Sequence, residues 1–448
     1  MSANANHPFP AQPISAHQAR RAALASRLGP GIAIVPTTGE TARNADSTYP
    51  YRFDSGFFYL TGFTEPDALF VQLIGEDKVE NILFCRPKDA EREIWDGYRY
   101  GPDAARDAFG LDAAYPIDEL DERLPQLMAN QPAVHFALGA DSQWDKRLSG
   151  WLNSVRSLVR TGVQAPTRLN DWRGPLGEMR LGKDEHELAV LREAGRINAA
   201  AHVRAMRFAR PGQMEYELEA EILHDYYRQG SRFPAYSSIV ASGPNACVLH
   251  YGENNRRMQD GELVLIDAGC ELNGYASDIT RTFPVNGRFS PAQKAVYEIT
   301  LAAMQAAFAA AKPGNTWNMP HDAATRVLIE GMRELKLLGG SVDEILETGA
   351  YRQFYMHRTG HWMGLDVHDV GDYQSNGAWR ELRPGMVFTI EPGFYIRPAE
   401  NVPKEFEHIG IRIEDDVAIT ADGHENLTAS CPKTVAEIEA LMARARED

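Results

Sequence analysis

The stretch Leu263-Val264-Leu265-Ile266-Asp267-Ala268-Gly269 decides the fold of the carboxy-terminal part of this chain. Its apolar run reads as a buried strand, yet it delivers a carboxylate to its end, and a buried carboxylate needs a partner. Asn273-Gly274 suits a tight hairpin turn. The chain then returns through Asp278-Ile279-Thr280-Arg281-Thr282-Phe283, where alternation puts Asp278, Thr280 and Thr282 on one face. Asp267 and Asp278 are therefore expected to converge across the hairpin.

A second pair of strands repeats the pattern. Met386-Val387-Phe388-Thr389-Ile390 runs into Glu391-Pro392-Gly393, and Ile411-Arg412-Ile413-Glu414 holds Arg412 and Glu414 on one face. Between the pairs, His357, His361 and His368 fall within a dozen residues, and Gly360 and Gly364 argue against an ordinary helix there. His357 and His361 are thus not the paired ligands of a helical zinc motif. Asp267, Asp278, His361, Glu391 and Glu414 together have the composition of a two-metal site: the four carboxylates balance the four charges of two divalent cations. Such an oxygen-rich donor set suits manganese or magnesium, with cobalt and zinc possible.

These blocks, with Asp366-Val367-His368-Asp369 and Ile411 to Asp415, resemble the signature of the metal-dependent pita-bread peptidases, and most of all aminopeptidase P, the Xaa-Pro aminopeptidases. The resemblance reaches the amino-terminal part through Asp54 to Pro66 and Trp95-Asp96-Gly97. It implies an α/β (α+β) chain with a smaller, creatinase-like α/β domain followed by a pseudo-symmetric pita-bread catalytic domain. It also implies that Asp267 and Asp278 bind one metal, that Asp278, Glu391 and Glu414 bridge or complete the pair, and that His361 completes the other. Two cations about 3.5 Å apart would activate a bridging hydroxide and polarise the scissile carbonyl. Glu391 would shuttle the proton to the leaving nitrogen, and His357 and His368 would stabilise the oxyanion. His250, Tyr395 and Trp95 would belong to the substrate pocket or channel, and Arg412 would orient the ligand carboxylates. The proline preference comes from the resemblance, although an Xaa-Pro bond, lacking an N–H, does call for a dedicated enzyme.

A single strand-end carboxylate is more often a cap or a salt-bridge partner; five in register favour a metal site. His135, His202, His224 and His321 are assigned no role, and Trp362 and Trp95 read by default as packing residues. Many relatives have small or apolar residues where this chain has Arg358-Thr359. That extra cation could favour substrate carboxylates or point to solvent.

Two domains are expected from 448 residues with 44% hydrophobic content. They are drawn as 1–175 and 176–448, divided at the turn-rich Arg173-Gly174-Pro175-Leu176-Gly177, before a helical pattern from Lys183 to Pro211. The first alternates helical stretches with strands at Gly31 to Val35, Ala68 to Ile74 and Asn81 to Phe84. It carries no ligand cluster, so its expected jobs are limiting substrate length and forming the contacts of a homo-oligomer, a dimer or tetramer. A net charge of −16 argues against nucleic-acid binding. No apolar run reaches transmembrane length, and Met1 to His17 lacks the order of a secretory signal. Cys85, Cys247, Cys270 and Cys431 are widely spaced, which fits reduced thiols in a cytoplasmic protein.

The expected activity is that of a hydrolase, a manganese-dependent metallopeptidase that removes the residue preceding proline from the start of a peptide. The alternatives are a prolidase, restricted to Xaa-Pro dipeptides, and a noncatalytic peptide-binding protein of the same fold.

Overall fold

In the computed structural model, which describes residues 12–447, the contacts divide the chain into two units between Met179 and Arg180. The first eleven residues, part of the stretch read for a secretory signal, lie outside the described residues.

The amino-terminal unit is a six-stranded mixed sheet. Its strands run in the order Ala113–Pro116, Val79–Cys85, Leu69–Ile74, Gly31–Pro36, Ala133–His135, Arg168–Asn170. The central three are antiparallel and the flanking pairs parallel. Alternation sends Ile32, Ile34, Leu69, Val71, Ile82 and Phe84 into one core. There they meet Leu120, Leu124 and Met128 from one helix and Leu148, Trp151 and Val155 from another.

The Arg173-to-Gly177 stretch, read as turn-rich, is helical: it begins the helix Arg173–Leu181. Pro175 lies in the first turn, where an N–H has no intrahelical acceptor, so the residue that reads as a breaker costs the helix nothing.

The carboxy-terminal unit is built on two bent hairpins. In the first, Leu263–Ala268 pairs with Ile279–Pro284. Beyond Gly269 the pairing resumes between Cys270–Leu272 and Tyr275–Ala276. Asn273 and Gly274 turn the chain with φ of 48° and 85°, the left-handed pair that a two-residue turn of this type demands. At Gly269 a Cβ would lie 1.9 Å from the Ser277 carbonyl oxygen, so the bend requires glycine.

In the second hairpin, Val387–Ile390 pairs with Asp415–Ile419, and beyond Glu391-Pro392 the strand Gly393–Ile396 pairs with Ile409–Arg412. The strand expected to run from Ile411 through Glu414 therefore stops at Arg412. Glu414 turns its N–H to the Thr280 carbonyl at 3.0 Å, and Glu391 turns its own to Thr359 at 3.0 Å. Ladder bonds are exchanged at the breaks for bonds to neighbouring segments, and this leaves the side chains of Glu391 and Glu414 at the two bends.

Around the hairpins lie the helices Glu185–Phe208, Glu215–Arg228, Pro291–Ala310 and Asn318–Glu334. Capping boxes start the first and third, at Asp184/Glu187 and Ser290/Gln293, as expected for helices meeting the core at a fixed angle.

Candidate metal and substrate site

Asp278 sits at the break of the first hairpin, Glu391 and Glu414 at the break of the second, and Asp267 one residue before the end of its strand. The two hairpins meet edge to edge. Thr282 donates its hydroxyl to the Arg412 carbonyl at 3.0 Å and accepts the Arg412 N–H at 3.2 Å.

His361 reaches the same place without a helix. Its N–H donates to the Thr389 hydroxyl at 3.1 Å and its carbonyl accepts the Thr389 N–H at 3.0 Å, so the segment runs as a rung beside Val387–Ile390. Gly360 permits this approach, since a Cβ there would lie 2.0 Å from the Thr389 carbonyl oxygen.

Ligand atoms of Asp278, His361 and Glu414 lie within 4.8 Å of one another. His361 Nε2 is 3.5 Å from Asp278 and 3.7 Å from Glu391. Asp267 is joined to Asp278 by the Tyr236 hydroxyl, which hydrogen-bonds to both, at 2.5 Å in the case of Asp267. Arg412 donates to Asp267 at 2.5 Å and to the Thr280 hydroxyl at 3.1 Å, and Thr280 donates to Glu414 at 2.5 Å.

Four carboxylates in so little space strain one another electrostatically. Burial, then the neighbouring acids, hold Glu414 and Asp278 above their ordinary values. Burial raises Glu391 to about 7, with His361 and Arg412 opposing. For His361 burial works downward, but Asp278 and Glu391 outweigh it and lift the imidazole to about 9. The protein alone supplies too little positive charge, and the groups respond by holding protons that cations would displace. The donor set, carboxylates with one imidazole, fits divalent cations with a preference for oxygen.

The site opens into a cavity of about 540 Å³, lined among others by Tyr236, Leu249, His250, Val367, His368 and Arg412. His368 is exposed, its ring 4.3 Å from that of His361. Burial and then the charge of His361 depress its pKa. His250 is also exposed on the wall.

His357 is differently placed. Nε2 faces the Tyr395 hydroxyl at 2.8 Å and Nδ1 the Arg358 carbonyl at 2.7 Å, so both nitrogens are engaged. Burial, then Arg412, push it down to about 3, and the ring is neutral. Tyr395, expected in the pocket, is fully buried and does not line the cavity. Its hydroxyl accepts from Arg412 at 3.0 Å and meets His357, so it braces the site from behind. Trp362 packs against Trp317, Tyr373 and Phe388, as expected. Trp95, on the helix Ala90–Asp96 of the amino-terminal unit, is 80% exposed rather than packed.

Sequence reasoning missed Tyr236, which lies in the irregular stretch after Pro234 and carries no periodic signal. It also missed the clamp on the His368 segment. Asp369 accepts from Lys183 at 2.9 Å and from Arg180, while Arg180 also donates to Asp366 at 2.7 Å. No local pattern connects positions so far apart in the chain.

Residues 189–421 match metallopeptidase family M24, and residues 17–135 match the aminopeptidase P N-terminal domain. The Xaa-Pro aminopeptidase of Escherichia coli is 48% identical, with 96% of this chain and 98% of that protein covered. That of Haemophilus influenzae is 44% identical over 94% of this chain and 96% of its own. Among solved structures, aminopeptidase PepP of Pseudomonas aeruginosa superposes with a TM-score of 0.96 at 50% identity, covering 98% of this chain and 99% of that one. The zinc-substituted E. coli aminopeptidase P in complex with product gives 0.95 at 46% identity, covering 98% of this chain and all of that one.

Proposed function

This chain belongs to metallopeptidase family M24 and has its pita-bread fold, and from that premise we propose that it is a metal-dependent aminopeptidase releasing the first residue from peptides whose second residue is proline. The observation that carries the reading is the convergence of Asp278, His361 and Glu414, flanked by Asp267 and Glu391, at the bends of two hairpins facing one cavity. Its full-length similarity to Xaa-Pro aminopeptidases supports the specificity.

Asp267, Asp278, His361, Glu391 and Glu414 would hold two divalent cations, which when bound supply Lewis-acid polarisation of the scissile carbonyl and a nucleophilic water at neutral pH. The protein's own groups supply the rest. Glu391, on the cavity wall within 3.7 Å of His361, is placed to carry a proton at its carboxylate from nucleophile to leaving nitrogen. His368 and His250 are exposed to the cavity and can donate to substrate oxygens. His357 would have to exchange its bond to Tyr395 or to the Arg358 carbonyl to do the same. Arg412 orients Asp267, and Tyr395 orients Arg412 and His357.

Manganese is the proposed ion, on the strength of the carboxylate-rich donor set. A homo-oligomer, dimer or tetramer, is proposed, with a domain of about residues 1–175 limiting peptide length and making subunit contacts, and 176–448 catalysing. A cytoplasmic location fits four free, buried cysteines. Among the described residues no helix is long and apolar enough to cross a membrane.

The test compares hydrolysis of matched Xaa-Pro-Yaa, Xaa-Pro and Xaa-Ala-Yaa peptides, with manganese and with chelator. Metal-dependent cleavage of the proline tripeptide is expected. Cleavage of the dipeptide alone would move the chain to the prolidases, and no cleavage with any metal would favour a binding protein.

A further inference from the structure

Two arginines line the catalytic cavity, and their surroundings differ. Arg412 is buried and committed to Asp267, Thr280 and Tyr395. Arg358 is exposed on the wall and makes no ion pair among the described residues.

It is nonetheless held. Its Nη2 donates to Asn318 Oδ1, and its guanidinium carbon lies 5.1 Å from the centroid of the Trp379 ring. Asn318 is oriented in turn by donating its own amide to Asp322 at 2.6 Å, which keeps the Asn318 oxygen toward the guanidinium. Both direct partners of Arg358 are neutral. Asn318 takes one of its five N–H donors and Trp379 the flat face, leaving most of the planar edge, the part that matches a carboxylate in two-point geometry. The charge is felt nearby: after burial, Arg358 is the next cause that depresses His321, to about 4.

In a chain of net charge −16, this arginine is held over the Trp379 ring with no acidic partner among the described residues. The net negative charge of the chain works against anionic peptides, and a fixed cation on the cavity wall offsets that repulsion locally.

We propose that Arg358 forms an anion subsite on the wall of the catalytic cavity and receives a carboxylate of the peptide substrate. That carboxylate belongs either to an acidic side chain or to the C-terminus of a short peptide. The inference rests on the reading of the chain as an Xaa-Pro aminopeptidase.

The experiment uses the manganese-loaded full chain and four peptides: Ala-Pro-Gln-amide, Ala-Pro-Glu-amide, Glu-Pro-Gln-amide and Ala-Pro-Gln with a free C-terminus. In the wild type at low salt, at least one carboxylate-bearing peptide should show kcat/KM about fivefold above the neutral amide, through KM. The position of that carboxylate identifies the source. The charged-to-neutral ratio should fall to about one in Arg358→Gln, recover in part in Arg358→Lys, and shrink with added salt in the wild type. Equal ratios in wild type and Arg358→Gln would overturn the subsite while leaving the peptidase reading intact. Failure of the wild type to cleave the neutral amide would overturn that reading and the subsite with it.

Discussion

Replacing Glu215 by Gln should loosen the segment that carries His250. Glu215 opens the helix Glu215–Arg228 and is fully buried. One carboxylate oxygen accepts the Ser242 N–H at 2.7 Å, the Ser242 hydroxyl at 2.7 Å and the Asn245 amide at 3.3 Å. The other accepts the Tyr251 hydroxyl at 2.8 Å and the Arg256 N–H at 2.9 Å. These donors bracket residues 242–256, the segment from which Leu249, His250, Tyr251 and Gly252 reach the cavity. Glutamine has the same shape, but one of its ends donates. If its oxygen stays toward Ser242, its NH₂ faces the Tyr251 hydroxyl, which can rotate and accept, and the Arg256 N–H, which cannot. One donor loses its acceptor, at about 1–3 kcal/mol, and the remaining bonds lose a charged acceptor, worth roughly 1 kcal/mol more. The total is about 2–4 kcal/mol. Asn254, anchored to Glu219 at 3.0 Å and to the Val240 N–H at 2.9 Å, secures the far end of the segment, so the loss should appear mainly as local opening. Amide exchange should accelerate across 242–256, KM for an Xaa-Pro-Yaa peptide should rise several-fold, and unfolding in denaturant should shift by no more than the total above. Exchange and KM both unchanged in Glu215→Gln would refute the reasoning.

The metal-free protein should lose stability as pH rises. Glu391 at about 7 and His361 at about 9 both make the folded state bind more protons than the unfolded one, so their contribution is full below their ordinary values and is lost as pH passes 7 and then 9. The unfolding temperature should therefore be higher at pH 6 than at pH 9 without metal, and manganese should raise the value at pH 9 most; a flat metal-free profile would contradict this. Asp369→Asn should cost about 3–5 kcal/mol in denaturant unfolding, because it leaves the buried Lys183 ammonium without its anion. The native Asp369 is held below its ordinary value, burial opposing and Lys183 and Arg180 prevailing, so this stability is present above that value and disappears as pH falls through the depressed one.

Much of the site was legible because its signals are local. An apolar run ending in an acid, a left-handed Asn-Gly turn and an alternating return strand each concern a few adjacent residues, and the first hairpin follows from them. The same is true of the segment around His361, where Gly360 and Gly364 argue against a helix in the sequence and the chain runs as a rung beside Val387–Ile390. Local signals also misled: Pro175 reads as a breaker until its place in a helix's first turn is known.

The sequence by itself indicated which side chains could bind metal and that one hairpin and a second pair of strands would present them, since backbone period and turn chemistry are properties of neighbours in the chain. Only the tertiary structure decided that the strands break at Glu391 and Glu414. It alone put Tyr236 between two aspartates and Tyr395 behind His357, left Arg358 without an acid among the described residues and gave Asp369 its cations at Arg180 and Lys183. Those outcomes depend on hydrogen-bond partners exchanged between distant segments, and on burial, which turns a carboxylate into a liability unless a cation or donor is packed beside it.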